Sequence, residues 1–316
     1  MRVQRPTPRP ARAAFTLVEI LIVIAILGIL AALILPAVNN ARLTAQYAQV
    51  NADMQTIGAA ITAFKTRFGV EPPSSIVICE NPTDWADEAV SRRRIKQIWP
   101  QFNFALAREF NGDTSGSPGF QSDKIPLDGS ECLVFFLAGM ADSSSGAMRG
   151  FSKNPANPLV VDNGTRDGPF LEIDGGLPSG TPTGRLVDAD GDGAPELLDT
   201  LPSQTRPYLY FSSYGGAGYV AGDNGSGRSP YFRDGGGTDP YQADGYQLIS
   251  PGMDGEYGSG GVLTTEDANG NGMLDSGEDS NGNGSLDREV RMVLSGNRTA
   301  ETDNLTNFHS GLLGDM

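Results

Sequence analysis

The sequence predicts an α+β protein. A long N-terminal helix, half membrane-spanning and half amphipathic, is followed by a small antiparallel β-sheet head with extended acidic loops. Three observations carry this. Residues 15–38 are apolar except for Thr16 and Glu19. Beyond them Leu43, Tyr47, Val50, Met54, Ile57, Ile61, Phe64 and Phe68 alternate at intervals of four and three, one stripe of a helix. After residue 169, short aromatic and β-branched runs are separated by Gly-, Asn- and Asp-rich turns.

The 316 residues carry a net charge of −15, unevenly placed. Arg2, Arg5, Arg9 and Arg12 lie in the first fourteen residues, which hold no acid, so the remainder sets 19 basic against 38 acidic groups, or −19. So acidic a body argues against a nucleic-acid-binding surface. The 41 glycines and 21 prolines imply many turns.

Phe15 to Val38 is 24 residues, about 36 Å as a helix, enough for a bilayer core of roughly 30 Å. The arginines on its N-terminal side put Met1 in the cytoplasm and everything after residue 40 outside. The run is longer than the apolar core of a cleaved secretory signal, and it contains Glu19. A carboxylate at the centre of a membrane helix costs about 2.5–3.5 kcal/mol on insertion scales, so such an acid has a function by default.

Ala14-Phe15-Thr16-Leu17-Val18-Glu19-Ile20-Leu21 resembles the processing site of type IV prepilins. Gly28 and Pro36 fall where pilin helices often carry a glycine and a proline. Ala14 departs from the glycine usual before the cut. The resemblance implies a leader, residues 1–14, removed by a prepilin peptidase between Ala14 and Phe15, with N-methylation of Phe15. It further implies that Glu19 pairs with the new α-amino group of Phe15 on a neighbouring subunit as a filament assembles. A buried carboxylate needs such a cationic partner.

The remaining chain divides into an amphipathic spine (39–68), a helical and loop insertion (69–168) and a C-terminal β region (169–316). Pro36 is expected to kink or locally melt the helix just past the membrane. Gly69 and Pro72-Pro73 stop it. Residues 84–110 read as one or two short helices broken at Pro100, with Arg92, Arg93 and Arg94 on a solvated face. Asp128 and Glu131 form a capping box before a short apolar helix expected to lie on the head. Residues 141–168 and 214–237 read as loop, and Pro207–Ser213, Tyr246–Ser250 and Arg288–Leu294 as strands. Cys79 and Cys132 leave two readings open: a disulfide, if the body is exported, or two buried thiols.

Pro207-Tyr208-Leu209-Tyr210, Tyr246 to Gly255 and Asp303 to Phe308 resemble three C-terminal motifs of the major pseudopilin of type II secretion systems. There the loop between the last two motifs binds calcium with ligands from both, which implicates Asp254 and Asp303. Here that loop is much longer.

The longer loop holds Asp267, Asn269, Asn271, Gly272, Met273, Asp275 and Glu278, a full match to a twelve-residue calcium loop. Side-chain oxygens at positions 1, 3, 5, 9 and 12 and the Met273 carbonyl can converge on one hard cation. A second copy, Asp279, Asn281, Asn283, Gly284 and Asp287, has Val290 at its twelfth position and Glu289 one residue early. A third is Asp188, Asp190, Asp192, Gly193, Glu196 and Asp199. The bland reading is a set of acidic turns, since Asn-Gly and Asp-Gly mark turns anyway. The expected cofactor is structural Ca²⁺, bound at about 10⁻⁴–10⁻³ M as in extracellular modules.

An enzyme is not expected. His309 is the single histidine, no nucleophile motif is present, and two distant cysteines make no zinc site. The leading reading is therefore a single-pass inner-membrane subunit with a periplasmic head. It would form a helical homo-oligomer with other pseudopilins, served by the prepilin peptidase and an inner-membrane assembly platform. The alternatives are a surface type IV pilus subunit for adhesion, motility or DNA uptake, and a calcium-binding module on a pilin-like anchor.

Overall fold

A computed structural model describes residues 17–108, 124–142, 145–160, 164–177, 181–220, 222–225, 228–233, 238–262 and 300–315. The chain divides into two units, Met1–Gln46 and Tyr47–Met316. One helix, α1 (Leu17–Phe68), contributes to both. In the first unit its side chains are exposed from Leu17 to Ala45. Pro36 does not melt it. Proline removes one N–H from the ladder, and the Leu-, Ile- and Ala-rich residues on either side keep the helix continuous. The helix ends at Gly69, whose N–H reaches the Lys65 carbonyl at 2.8 Å with φ at +81°.

In the second unit the α1 stripe is the spine of the core. Val50, Met54, Ile57, Ile61 and Phe64 are buried, and Tyr47 and Phe68 pack at its edges. Leu43, expected on the stripe, is exposed and belongs to the first unit. Then follow β1 (Ile76–Cys79), α2 (Ala89–Ile98), β2 (Lys124–Leu127) and α3 (Gly129–Ala138). Next come β3 (Phe151–Ser152), β4 (Arg166–Asp167), β5 (Gly175–Gly176), β6 (Thr183–Gly184), β7 (Leu186–Val187) and β8 (Glu196–Leu197). The C-terminal strands are β9 (Leu209–Ser212), β10 (Tyr231–Phe232), β11 (Tyr246–Ser250), β12 (Gly261–Val262), β13 (Leu305–Thr306) and β14 (His309–Leu312).

Four of these form the main sheet, antiparallel throughout, in the order β14-β13-β11-β9. β1–β2, β3–β4, β5–β6 and β7–β8 are separate antiparallel pairs, and β10–β12 is parallel. The strand expected at 288–294 lies outside the described residues. Residues 141–168, expected to be loop, contribute the β3–β4 pair.

The sheet and α1 approach closely at Gly58. A Cβ there would lie 2.7 Å from the Tyr246 hydroxyl oxygen. Farther along, Phe64 meets Phe136 at 5.8 Å and Phe170 at 5.4 Å between ring centroids, and Phe68 meets Trp99 at 5.8 Å. Each such pair adds about 0.5–1.5 kcal/mol beyond its buried area.

The capping box is present. Asp128 accepts from the N–H groups of Ser130 and Glu131 at 2.8 and 3.1 Å, and Glu131 accepts from the Asp128 N–H at 2.6 Å. Its helix α3 is not laid on the head but is nearly all buried inside it, because its apolar run faces α1, β8 and β9. Residues 69–168 and the strands after 169 therefore share one core. Cys79 and Cys132 are free, buried thiols within it. Arg94 also departs from the solvated reading: its guanidinium lies 4.2 Å from the Tyr214 ring centroid and donates to the Ser75 carbonyl.

Candidate functional site

The N-terminal site begins in residues outside the description. Ala14 and Phe15 lie there, and Glu19 is in the first turn of α1, where an acid suits the helix dipole. α1 is long and apolar enough to cross a membrane. From Leu17 to Val38 no side chain of this stretch is covered by protein, as lipid-facing residues require.

A second site lies at the corner after β11. Gly252, at φ +69°, turns the chain against Asp303, two residues before β13; a Cβ there would lie 2.4 Å from the Asp303 carbonyl oxygen. Asp303 accepts from the N–H groups of Met253 and Asp254 at 2.6 and 3.1 Å, and its buried Oδ1 has no hydrogen-bond partner among the described residues. Burial raises the Asp303 pKa, and the Asp254 charge adds to the rise. Asp254 and Asp303 are thus brought together. Asp267, Asn269, Asn271, Met273, Asp275 and Glu278, and the whole second copy, lie outside the described residues.

The third acidic motif is the turn between β7 and β8. Each aspartate closes a local ring: Asp188 accepts from the Gly191 N–H at 2.8 Å, Asp190 from Asp192 at 3.2 Å and Asp192 from Ala194 at 2.8 Å. Gly191 and Gly193 take φ of +84° and +95°, values that glycine adopts without strain. Glu196 accepts from the Ala189 N–H at 2.6 Å, and burial pushes its pKa up to about 7.

The structure does not bring Asp199 to this turn. Its Oδ1 accepts from the Leu201 N–H at 2.8 Å, and its Oδ2 from the Ser250 hydroxyl at 2.5 Å and the Gln204 amide at 3.1 Å. The acid that does meet the turn is Glu131 of α3. One carboxylate oxygen from each of Glu131, Asp190 and Asp192 lies within 4.8 Å of the others. Glu131 is only 3% exposed. Its Oε2 is held by the Asp128 N–H, while Oε1 accepts from no N–H among the described residues and the carboxyl meets that of Asp192. Two ionised carboxylates cannot bond one another, so Glu131 and Asp192 need a proton or a cation between them. Burial, with the Asp128 charge, pushes Glu131 up to about 10; burial also raises Asp192 and Asp128.

Glu131 was visible in the sequence only as a helix cap. Its meeting with Asp190 depends on how α3 packs, for which no local pattern stands. A separate groove of about 700 Å³ between α1 and β14 includes His309, Asn307 and Thr62, and among the described residues no carboxylate lines it.

The prokaryotic N-terminal methylation motif matches residues 9–35. No curated protein and no solved structure matches the chain.

Proposed function

We propose that this chain, whose N-terminus is that of a type IV pilin-like protein, is a structural subunit of a periplasmic pseudopilus driving type II secretion. The carrying observation is the methylation motif at residues 9–35, which covers the start of α1, where the helix is apolar and uncovered from Leu17 to Val38 and holds one acid, Glu19, in its first turn. Processing before Phe15 would expose an α-amino group that pairs with Glu19 of the next subunit. The apolar segment would hold the subunit in the inner membrane, head outward, until the assembly platform moves it into the filament.

The choice of pseudopilus over surface pilus rests on the C-terminal segments. Asn307 accepts from the Leu248 N–H at 2.9 Å and donates to the Tyr246 carbonyl at 3.0 Å. Asn304 donates to the Tyr257 carbonyl at 3.0 Å, and Asp303 holds the turn at Gly252. The segments resembling the major pseudopilin thus close around one strand, β11.

Two experiments test this. Protein from cells with a prepilin peptidase should begin at methylated Phe15 and, from peptidase-null cells, at Met1. A start at Met1 in both, or beyond residue 30, overturns the pilin-like processing. Deleting the gene should abolish protein export while leaving surface pili intact. Loss of pili with normal export would move the subunit to a surface pilus, and loss of neither would leave a calcium-binding module on a pilin-like anchor.

A further inference from the structure

We propose that Glu131, Asp190 and Asp192 form a composite site for one calcium ion, which ties the β7–β8 turn to the first turn of α3. The site does not depend on the filament reading.

The donors are all carboxylate oxygens, which suit a hard cation. Their mutual separations, within 4.8 Å, are no wider than the span across one calcium with ligands at about 2.3–2.6 Å. Asp190 and Asp192 are the third and fifth residues of the loop motif that starts at Asp188. Ala194, the seventh, can add its backbone carbonyl, as that motif requires. The twelfth residue, Asp199, should complete the set, but both its oxygens serve Leu201, Gln204 and Ser250.

Glu131 takes that vacant role from another element. It is almost fully buried, and the capping bond to Asp128 fixes one of its oxygens. The other receives no hydrogen bond from the rest of the described residues, and the Glu131 carboxyl meets that of Asp192, a contact that needs a shared proton or a cation. A calcium ion takes the place of the proton that Glu131 and Asp192 would otherwise share, and satisfies the buried oxygen. Binding would fasten the turn to a helix start that Gly129 already anchors to the Asp223 carbonyl at 2.8 Å.

The test uses the full processed chain in detergent, stripped with chelator and titrated with calcium chloride by calorimetry. The background carries Asp267→Asn and Glu278→Gln to silence the long loop. Glu131→Gln, which keeps the capping acceptor, should lose one calcium equivalent or weaken one site at least tenfold. Asp190→Asn, at an exposed position, should do the same without threatening the fold. Asp199→Asn should leave the number of bound ions unchanged. Unchanged stoichiometry and affinity in both folded Glu131→Gln and Asp190→Asn overturn the site. Should Glu131→Gln misfold by circular dichroism, Asp190→Asn alone decides. Loss of the ion in Asp199→Asn, with Glu131→Gln unaffected, would restore the ordinary twelve-residue loop in its place. Equal binding of magnesium chloride would overturn the choice of calcium, because magnesium favours a rigid octahedron with retained waters.

Discussion

Arg185 closes a two-pronged ion pair on Asp53 of α1, Nη1 to Oδ1 at 2.9 Å and Nη2 to Oδ2 at 2.5 Å. The Tyr208 hydroxyl donates to the same Asp53 Oδ2 at 2.8 Å. The Arg185 and Asp53 side chains are 26% and 12% exposed. The spine is thereby bonded to the residue just before β7 and to the residue just before β9. Asp53→Ala strands a guanidinium and a phenol, and should cost about 2–3 kcal/mol in denaturant unfolding. Arg185→Met in the Asp53→Ala background should recover part of that loss, because the uncompensated charge is gone. A purely additive double mutant would deny the coupling.

Glu19→Ala should still insert into the membrane, since removing an acid lowers the insertion cost. It should assemble poorly, because the pairing with Phe15 is lost. Filament yield in a reconstituted assembly assay measures this, and a normal yield would remove Glu19 from assembly.

The thiols should be silent. Cys79 is wholly buried, and burial, with the Glu88 charge adding to it, pushes its pKa from 9.0 to about 11. Cys132 is raised well above its ordinary value too, again by burial first. The neutral forms are favoured by the fold, so this contribution is intact below pH 9 and is lost as pH rises toward 11. At pH 8, thiol reagents should label neither residue until denaturant unfolds the head. Rapid labelling of the native protein would contradict this burial.

Arg108 should not tolerate lysine. It is 6% exposed, lies 4.0 Å over the Phe102 ring and donates to Asn157 and to the carbonyls of Leu106 and Asn103 at 3.0, 2.9 and 2.7 Å. Lysine cannot reproduce the planar fork or the stacking. Arg108→Lys should lower stability by about 1–3 kcal/mol, read as a shift of the denaturation midpoint. An unchanged midpoint would mean that the fork adds nothing.

Local patterns were legible in the sequence, and long-range meetings were not. The stripe from Tyr47 to Phe68, the stop at Gly69 and the Asp128–Glu131 cap are set by residues within a few positions of one another. The strands at 209–212 and 246–250 were also readable, because aromatic runs ended at turn residues. Spacing failed where direction mattered. Asp199 sits at the right count from Asp188, yet Ser250 and Gln204 hold it. Glu131 carries no metal signal of its own, since its partners arrive through the packing of α3 against β8. Arg94 looked solvated because nothing nearby announces Tyr214.

Gly58 has a mechanical consequence. Where the Tyr246 hydroxyl meets α1, a single missing carbon sets the clearance. Sliding the helix by one turn would bring Met54 or Thr62 to that point, and a three-residue slip would bring Gln55 or Ile61. Each would collide with the tyrosine. The contact therefore opposes sliding of the spine against the sheet, so a pull along α1 loads Tyr246 and the strand that carries it.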